Sequence, residues 1–198
     1  MATYAIAAST DDGGISGASS FTQGDPNYLG YFAGDYSLWF RFAGIAAAQG
    51  DTCASAYITF KVSGAGAGTT MLTAFYGVDE DDHASPTTRA EWNTDHGIHT
   101  TAKVDYDFTG GSTAGDTLTS PSLVSIFDEI FARAGWATGN AVGIHWENDG
   151  MATNIYRAIA MYESVTYTEA TLTLTLNAGC GGSLKIPVAM QSYRQRRV

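Results

Sequence analysis

Residues 170–176 read Ala-Thr-Leu-Thr-Leu-Thr-Leu, and a strict two-residue period of this kind fits one local structure. Successive side chains of a β-strand point to opposite faces, so Leu172, Leu174 and Leu176 can face a core while Thr171, Thr173 and Thr175 face away. A helix would scatter the leucines around its girth. The same period returns upstream. In 56–62 Ile58, Phe60 and Val62 alternate with Tyr57, Thr59 and Lys61; in 36–42 Leu38, Phe40 and Phe42 oppose Trp39 and Arg41. Val104, Tyr106 and Phe108 likewise oppose Lys103, Asp105 and Asp107. Tyr4 with Ile6, residues 71–76, a half-buried stretch from Val142 to Trp146, and 156–162 add further strands.

One segment follows a different rhythm. Leu123, Ile126, Phe127, Ile130 and Phe131 fall at i, i+3, i+4, i+7 and i+8, which puts five apolar side chains on one helical stripe. Ser120 as N-cap and Pro121 at the first helical position predict a helix over about residues 121–133. Gly135 is placed to close it in the left-handed conformation, with Trp136 folding back on the last turn. Many short strands, a single helix and no strand-helix-strand rhythm predict an all-β fold. The expected architecture is an antiparallel β-sandwich of jelly-roll type over residues 1–176.

Punctuation completes that picture. Asp11-Asp12-Gly13-Gly14 reads as a turn, 15–35 mostly as loop, and Glu147-Asn148-Asp149-Gly150 as a tight hairpin turn. Gly64 to Gly68 (GAGAG) is a flexible turn and no phosphate loop, since neither the required Lys nor a helix follows. Residues 177–182 read as a Gly-rich linker, and 183–198 as a C-terminal arm too short to fold alone.

Charge separates the arm from the body. Residues 1–182 hold six Lys/Arg against all twenty Asp/Glu, a balance of −14, whereas 183–198 carry Lys185, Arg194, Arg196 and Arg197 and no acid. A net charge of −10 opposes nucleic acid as a partner, because a phosphate backbone must be met by clustered cations. No apolar run reaches the roughly 20 residues that span a bilayer, and the first residues lack the pattern of a secretory signal, so no membrane partner is expected.

Candidate chemistry is sparse. Cys53 and Cys180 are too few for a disulfide framework and lack metal-ligand spacing, although one bridge between them stays open. Asp79-Glu80-Asp81-Asp82-His83 reads as a solvated acidic loop, with a hard cation such as calcium as the alternative. His96 and His99 are a weak zinc signal, and no metal or other cofactor is expected. His145 and Glu147 project to one face of a strand while Asp149 caps the turn, and no nucleophile motif accompanies them. The chain therefore reads as no enzyme. Arg41 is expected to stack on a neighbouring ring. Tyr28, Tyr31 and Phe32 either cover an end of the core or form an aromatic platform.

The phrases SLWFRFAGI, ASAYITFKV, AGWATGNAVGIHW, YRAIAMYES and ATLTLTL, in that order, resemble the DNRLRE-type sandwich domain related to carbohydrate-binding modules. The form is similar to that found in tailed-bacteriophage structural proteins, and the similarity covers about residues 3–176. Met161-Tyr162-Glu163-Ser164 stands where the family has an Arg-Glu pair. The resemblance implies a non-catalytic virion protein, a capsid decoration, neck or tail component, located in the particle and partnered by other virion proteins and by copies of itself. Lys185, Ile186, Val188, Arg194, Arg196 and Arg197 are the candidate assembly residues, the alternation of Ile186, Val188 and Met190 suiting an added strand. The alternative is a carbohydrate-binding module or adhesin for a surface polysaccharide, stacking sugars on Tyr28, Tyr31, Trp39 and Trp92.

Overall fold

The structure, a computed structural model, describes residues 1–177 apart from Ala18, Pro26 and Ala33. The arm residues Lys185, Ile186, Val188, Arg194, Arg196 and Arg197, and the linker with Cys180, lie outside the described residues.

The first half of the chain forms β1 (Ala2–Ala5), β2 (Asp12–Ser16), β3 (Ser20–Thr22), β4 (Asn27–Tyr31), β5 (Asp35–Phe42), β6 (Cys53–Lys61), β7 (Thr70–Met71), β8 (Thr73–Val78) and helix α1 (Arg89–His96). The second half adds β9 (His99–Asp105), β10 (Phe108–Thr109), β11 (Thr117–Thr119), helix α2 (Val124–Phe131), β12 (Val142–Asn148), β13 (Ile155–Ile159) and β14 (Thr171–Leu176). All named strand pairs are antiparallel. One sheet runs β1-β14-β6-β11; the larger runs β13-β4-β5-β12-β8-β9, with β2 pairing to β5 and β3 to β2. The fold is an all-β sandwich of antiparallel sheets.

The alternating segments land as their period requires. Ile58 and Phe60 from β6 and Leu172 and Leu174 from β14 meet Leu38, Phe40, Ile144 and Trp146 of the facing sheet in one buried core. Phe60 is its centre, with ring centroids 4.5 Å from Trp146, 5.1 Å from Phe40 and 6.0 Å from Phe75. Such aromatic contacts bind the two sheets beyond the apolar area that they bury.

Helix α2 seals one end of this core. Ile126, Phe127, Ile130 and Phe131 are buried, and Phe131 meets Trp136 at 4.9 Å. Its polar side grips both sheets: Asp128 accepts from the Cys53 N–H at 2.7 Å, and Glu129 from the N–H groups of Thr101 and Ala102 at 2.7 and 2.8 Å. The helix begins later than its capping signals predict. Leu123 is the N-cap residue, while Ser120 Oγ accepts from the Ile58 N–H at 2.9 Å and donates to the Pro121 carbonyl. Pairing with β6 has claimed the hydroxyl that would have capped the helix. Gly135 does not adopt a positive φ either. A Cβ there would lie 2.0 Å from a carboxylate oxygen of Asp81, so close approach and not chain reversal requires the glycine.

Residues 11–35 differ most from expectation. Asp12 to Ser16 is a strand, not a turn, and β3 and β4 occupy the expected loop. A Cβ on Gly13 would sit 2.5 Å from the Thr22 carbonyl oxygen and 2.8 Å from the Trp39 ring, so glycine lets β2 press against its neighbours. The chain does turn at 148–151, with the Met151 N–H donating to Asn148 Oδ1, yet β13 pairs with β4 and not with β12.

Arg157 on β13 is fully buried. Its guanidinium donates to the carbonyls of Gly110 at 2.6 Å, Ala67 at 2.7 Å and Tyr156 at 2.8 Å, and more distantly to Gly68 and Thr69. It thereby holds the 64–69 loop, whose Ala67 also bridges to Tyr156.

Candidate functional site

The outer face of the larger sheet carries the unforeseen helix. In α1, Thr88 accepts from the Glu91 N–H at 3.2 Å and Glu91 reaches back to the Thr87 N–H at 2.6 Å, a close relative of the capping box. Thr88-x-x-Glu91 was the sequence signal for it. Only Trp92 and Asp95 of this helix are buried. Trp92 stacks on His145 with centroids 5.2 Å apart, and Arg89 lies 4.9 Å over its ring. β12 is therefore covered on both faces, not half-buried.

Helix α1 brings His96 over a cleft of about 660 Å³ that Tyr31, Arg89, Trp92, Glu147 and Asn148 also line. Glu147 stands at its base. Oε2 is 3.4 Å from His96 Nε2, and Oε1 is 3.5 Å from His99 Nε2 and 3.4 Å from His145 Nδ1. His99 Nε2 and His145 Nδ1 are 2.9 Å apart, so one ring donates to the other. Three histidines and a carboxylate thus converge from α1, β9 and β12. The shared face of His145 and Glu147 is as the strand period requires, but the period gave no hint that His96 and His99 would join them.

Burial works to raise the Glu147 carboxyl, yet the facing His145 imidazole and a long hydrogen bond from His96 outweigh it and hold the group down at about 2. The same hydrogen bond to Glu147 raises His96. Burial, and then the neighbouring His145, lowers His99 to about 4, and burial lowers His145. At neutral pH the site therefore holds an ionised carboxylate beside two uncharged imidazoles. His96, His99 and Glu147 offer ligand atoms all within 4.8 Å of one another.

A second group, Glu80, His83 and Asp95, meets the same distance criterion. His83 Nδ1 lies 3.1 Å from Glu80 Oε2, and burial followed by His145 and Arg41 drives its pKa to about 3. The acidic segment before it is a partly solvated loop, as expected, whose carboxylates also make specific bonds. Arg133 pairs with Asp79 and, at 2.7 Å, with Asp81, while Asp82 accepts from the Ala141 N–H at 2.8 Å. These carboxylates fasten α2 and β12 in place. Arg41 stacks on no ring among the described residues: it donates to the His83 carbonyl at 2.6 Å and pairs with Asp11 at 3.1 Å.

The four aromatic candidates separate. Trp39 and Trp92 are 1% and 4% exposed, which leaves no face for a sugar. Trp39 stacks instead on Phe21. Tyr31 is half-buried at the cleft wall. Tyr28 is 37% exposed and joins Phe32, Tyr36 and Tyr156 in a surface cluster with centroids 5.1 to 5.8 Å apart.

No protein-family model and no curated protein matches this chain. Among the described residues, no helix is long and apolar enough to cross a membrane.

Proposed function

We propose that this chain is a non-catalytic structural subunit of a tailed-bacteriophage particle, a capsid decoration, neck or tail component, whose basic arm docks on a neighbouring subunit. The carrying observation is how the body spends its cations. Arg41 is held by Asp11, Arg133 by Asp79 and Asp81, Lys103 by Asp105 and Asp149, and Arg157 by buried carbonyls. Exposed acids such as Asp107 and Glu163 keep no cation among the described residues. An acidic body of this kind is a complementary surface for the arm of a second copy or of another virion protein. β1 supports the same reading, since it pairs only with β14 and no described strand covers its other edge. The Ile186, Val188, Met190 alternation suits pairing there.

The test compares the full chain with one ending at 182, by sedimentation in low and high salt and by mass-spectrometric inventory of purified particles. The full chain should associate, more weakly at high salt, and should be found in particles; the truncated chain should keep its circular dichroism and stay behind. Normal incorporation of the truncated chain refutes the arm's role. The Tyr28 cluster favours a second reading, polysaccharide binding at the surface, in which a glycan array would respond to Tyr28→Ala.

A further inference from the structure

We propose that His96, His99 and Glu147 bind one divalent transition-metal ion of the zinc class, which fastens helix α1 to the larger sheet. Zinc sits about 2.0–2.1 Å from imidazole nitrogen and carboxylate oxygen, so the donors of a tetrahedral site lie about 3.3 Å apart. Glu147 Oε2 stands 3.4 Å from His96 Nε2 and Oε1 stands 3.5 Å from His99 Nε2, with one ligand atom of each residue within 4.8 Å of the others, so small side-chain shifts bring them onto one ion. His145 Nδ1 lies 2.9 Å from His99 Nε2, so that hydrogen bond opens when His99 turns its nitrogen to the ion.

One observation beyond this geometry points to an occupant. Glu147 Oε1 and His145 Nε2 are buried without a hydrogen-bond partner among the described residues, and His145 is 0% exposed. A buried polar atom left unpaired costs free energy that a bound cation removes at Glu147. The donor set selects the ion: imidazole nitrogens with a single carboxylate suit zinc and its neighbours, whereas calcium and magnesium want oxygen alone.

The site also answers a mechanical need. Helix α1 presents one large apolar anchor, Trp92, to the sheet. One ligand at its C-terminal end, one on the following strand and one on β12 would cross-link all three elements.

The experiment uses the full chain, stripped with a chelator and titrated with cobalt(II) and then zinc(II). One equivalent of cobalt should give the intense visible absorption of a tetrahedral site, and zinc should bleach it. Hydrogen exchange across residues 89–96 should slow on adding zinc. His96 has a half-exposed side chain, so His96→Ala should fold, as checked by circular dichroism. Since altering residues that merely support a ligand costs on the order of 10–100-fold in affinity, removing a ligand should weaken binding at least that much. Glu80→Gln, in the neighbouring cluster, should leave binding unchanged. Absence of stoichiometric binding, full binding by His96→Ala, or loss confined to Glu80→Gln would each overturn the assignment.

Discussion

Asp12 opens β2 and has no exposed surface. Its Oδ2 accepts from the Tyr162 N–H at 2.9 Å, while Oδ1 has no partner among the described residues. Burial, opposed by that hydrogen bond and reinforced by Glu163, Asp11 and Asp25, pushes its pKa up to about 8. The folded chain at pH 7 therefore keeps a proton that the unfolded chain has released. Because the folded pKa is the higher one, stability is complete below about pH 4 and falls as pH rises toward about 8. At about 1.4 kcal/mol per pH unit, the loss between about pH 4 and 7 is on the order of 4 kcal/mol. Asp12→Asn retains the acceptor for Tyr162 and has no proton to lose. Burying its carboxamide N–H costs about 1–2 kcal/mol at any pH, so the variant should gain about 2–3 kcal/mol at neutral pH and lose about 1–2 kcal/mol near pH 4. Urea unfolding of both proteins across that window measures the difference directly. Parallel pH profiles, or a variant less stable than the parent at neutral pH, would refute the reasoning.

Two further substitutions probe the packing. Arg157→Lys should cost about 3–5 kcal/mol in chemical denaturation despite keeping the charge, because an ammonium cannot reach carbonyls spread across the guanidinium plane; an unchanged midpoint would count against the buried role. Trp92→Ala should destabilise the fold by about 3 kcal/mol and loosen α1, so any fall in glycan binding should be accompanied by that loss; glycan binding abolished at full stability would mean that Trp92 contacts sugar after all.

The strands that were legible in the sequence share one property: a face that meets the core and a face that does not. β5, β6 and β14 display this as alternation, and their inward residues are those that pack around Phe60. β2 lacks it because glycines hold two of its five positions, and glycines that serve close packing look like turn residues in one dimension. Helix α1 was illegible for another reason. Trp92 supplies most of its anchorage, so it has no apolar stripe, and only the Thr88-x-x-Glu91 cap marks it. The histidine cluster could not be found from spacing at all, since His99 and Glu147 are brought together by the antiparallel course of β9, β8 and β12.

Arg157 also governs how residues 64–69 can vary. A loop held through its carbonyl oxygens is recognised by its path, and the side chains along that path are not consulted. Ala65 or Ala67 can therefore drift without weakening the grip, whereas Gly66 and Gly68 cannot, because a Cβ there would strike the Tyr156 carbonyl or the Ile155 side chain. The instructions for this crossing are thus written chiefly on a strand some ninety residues downstream.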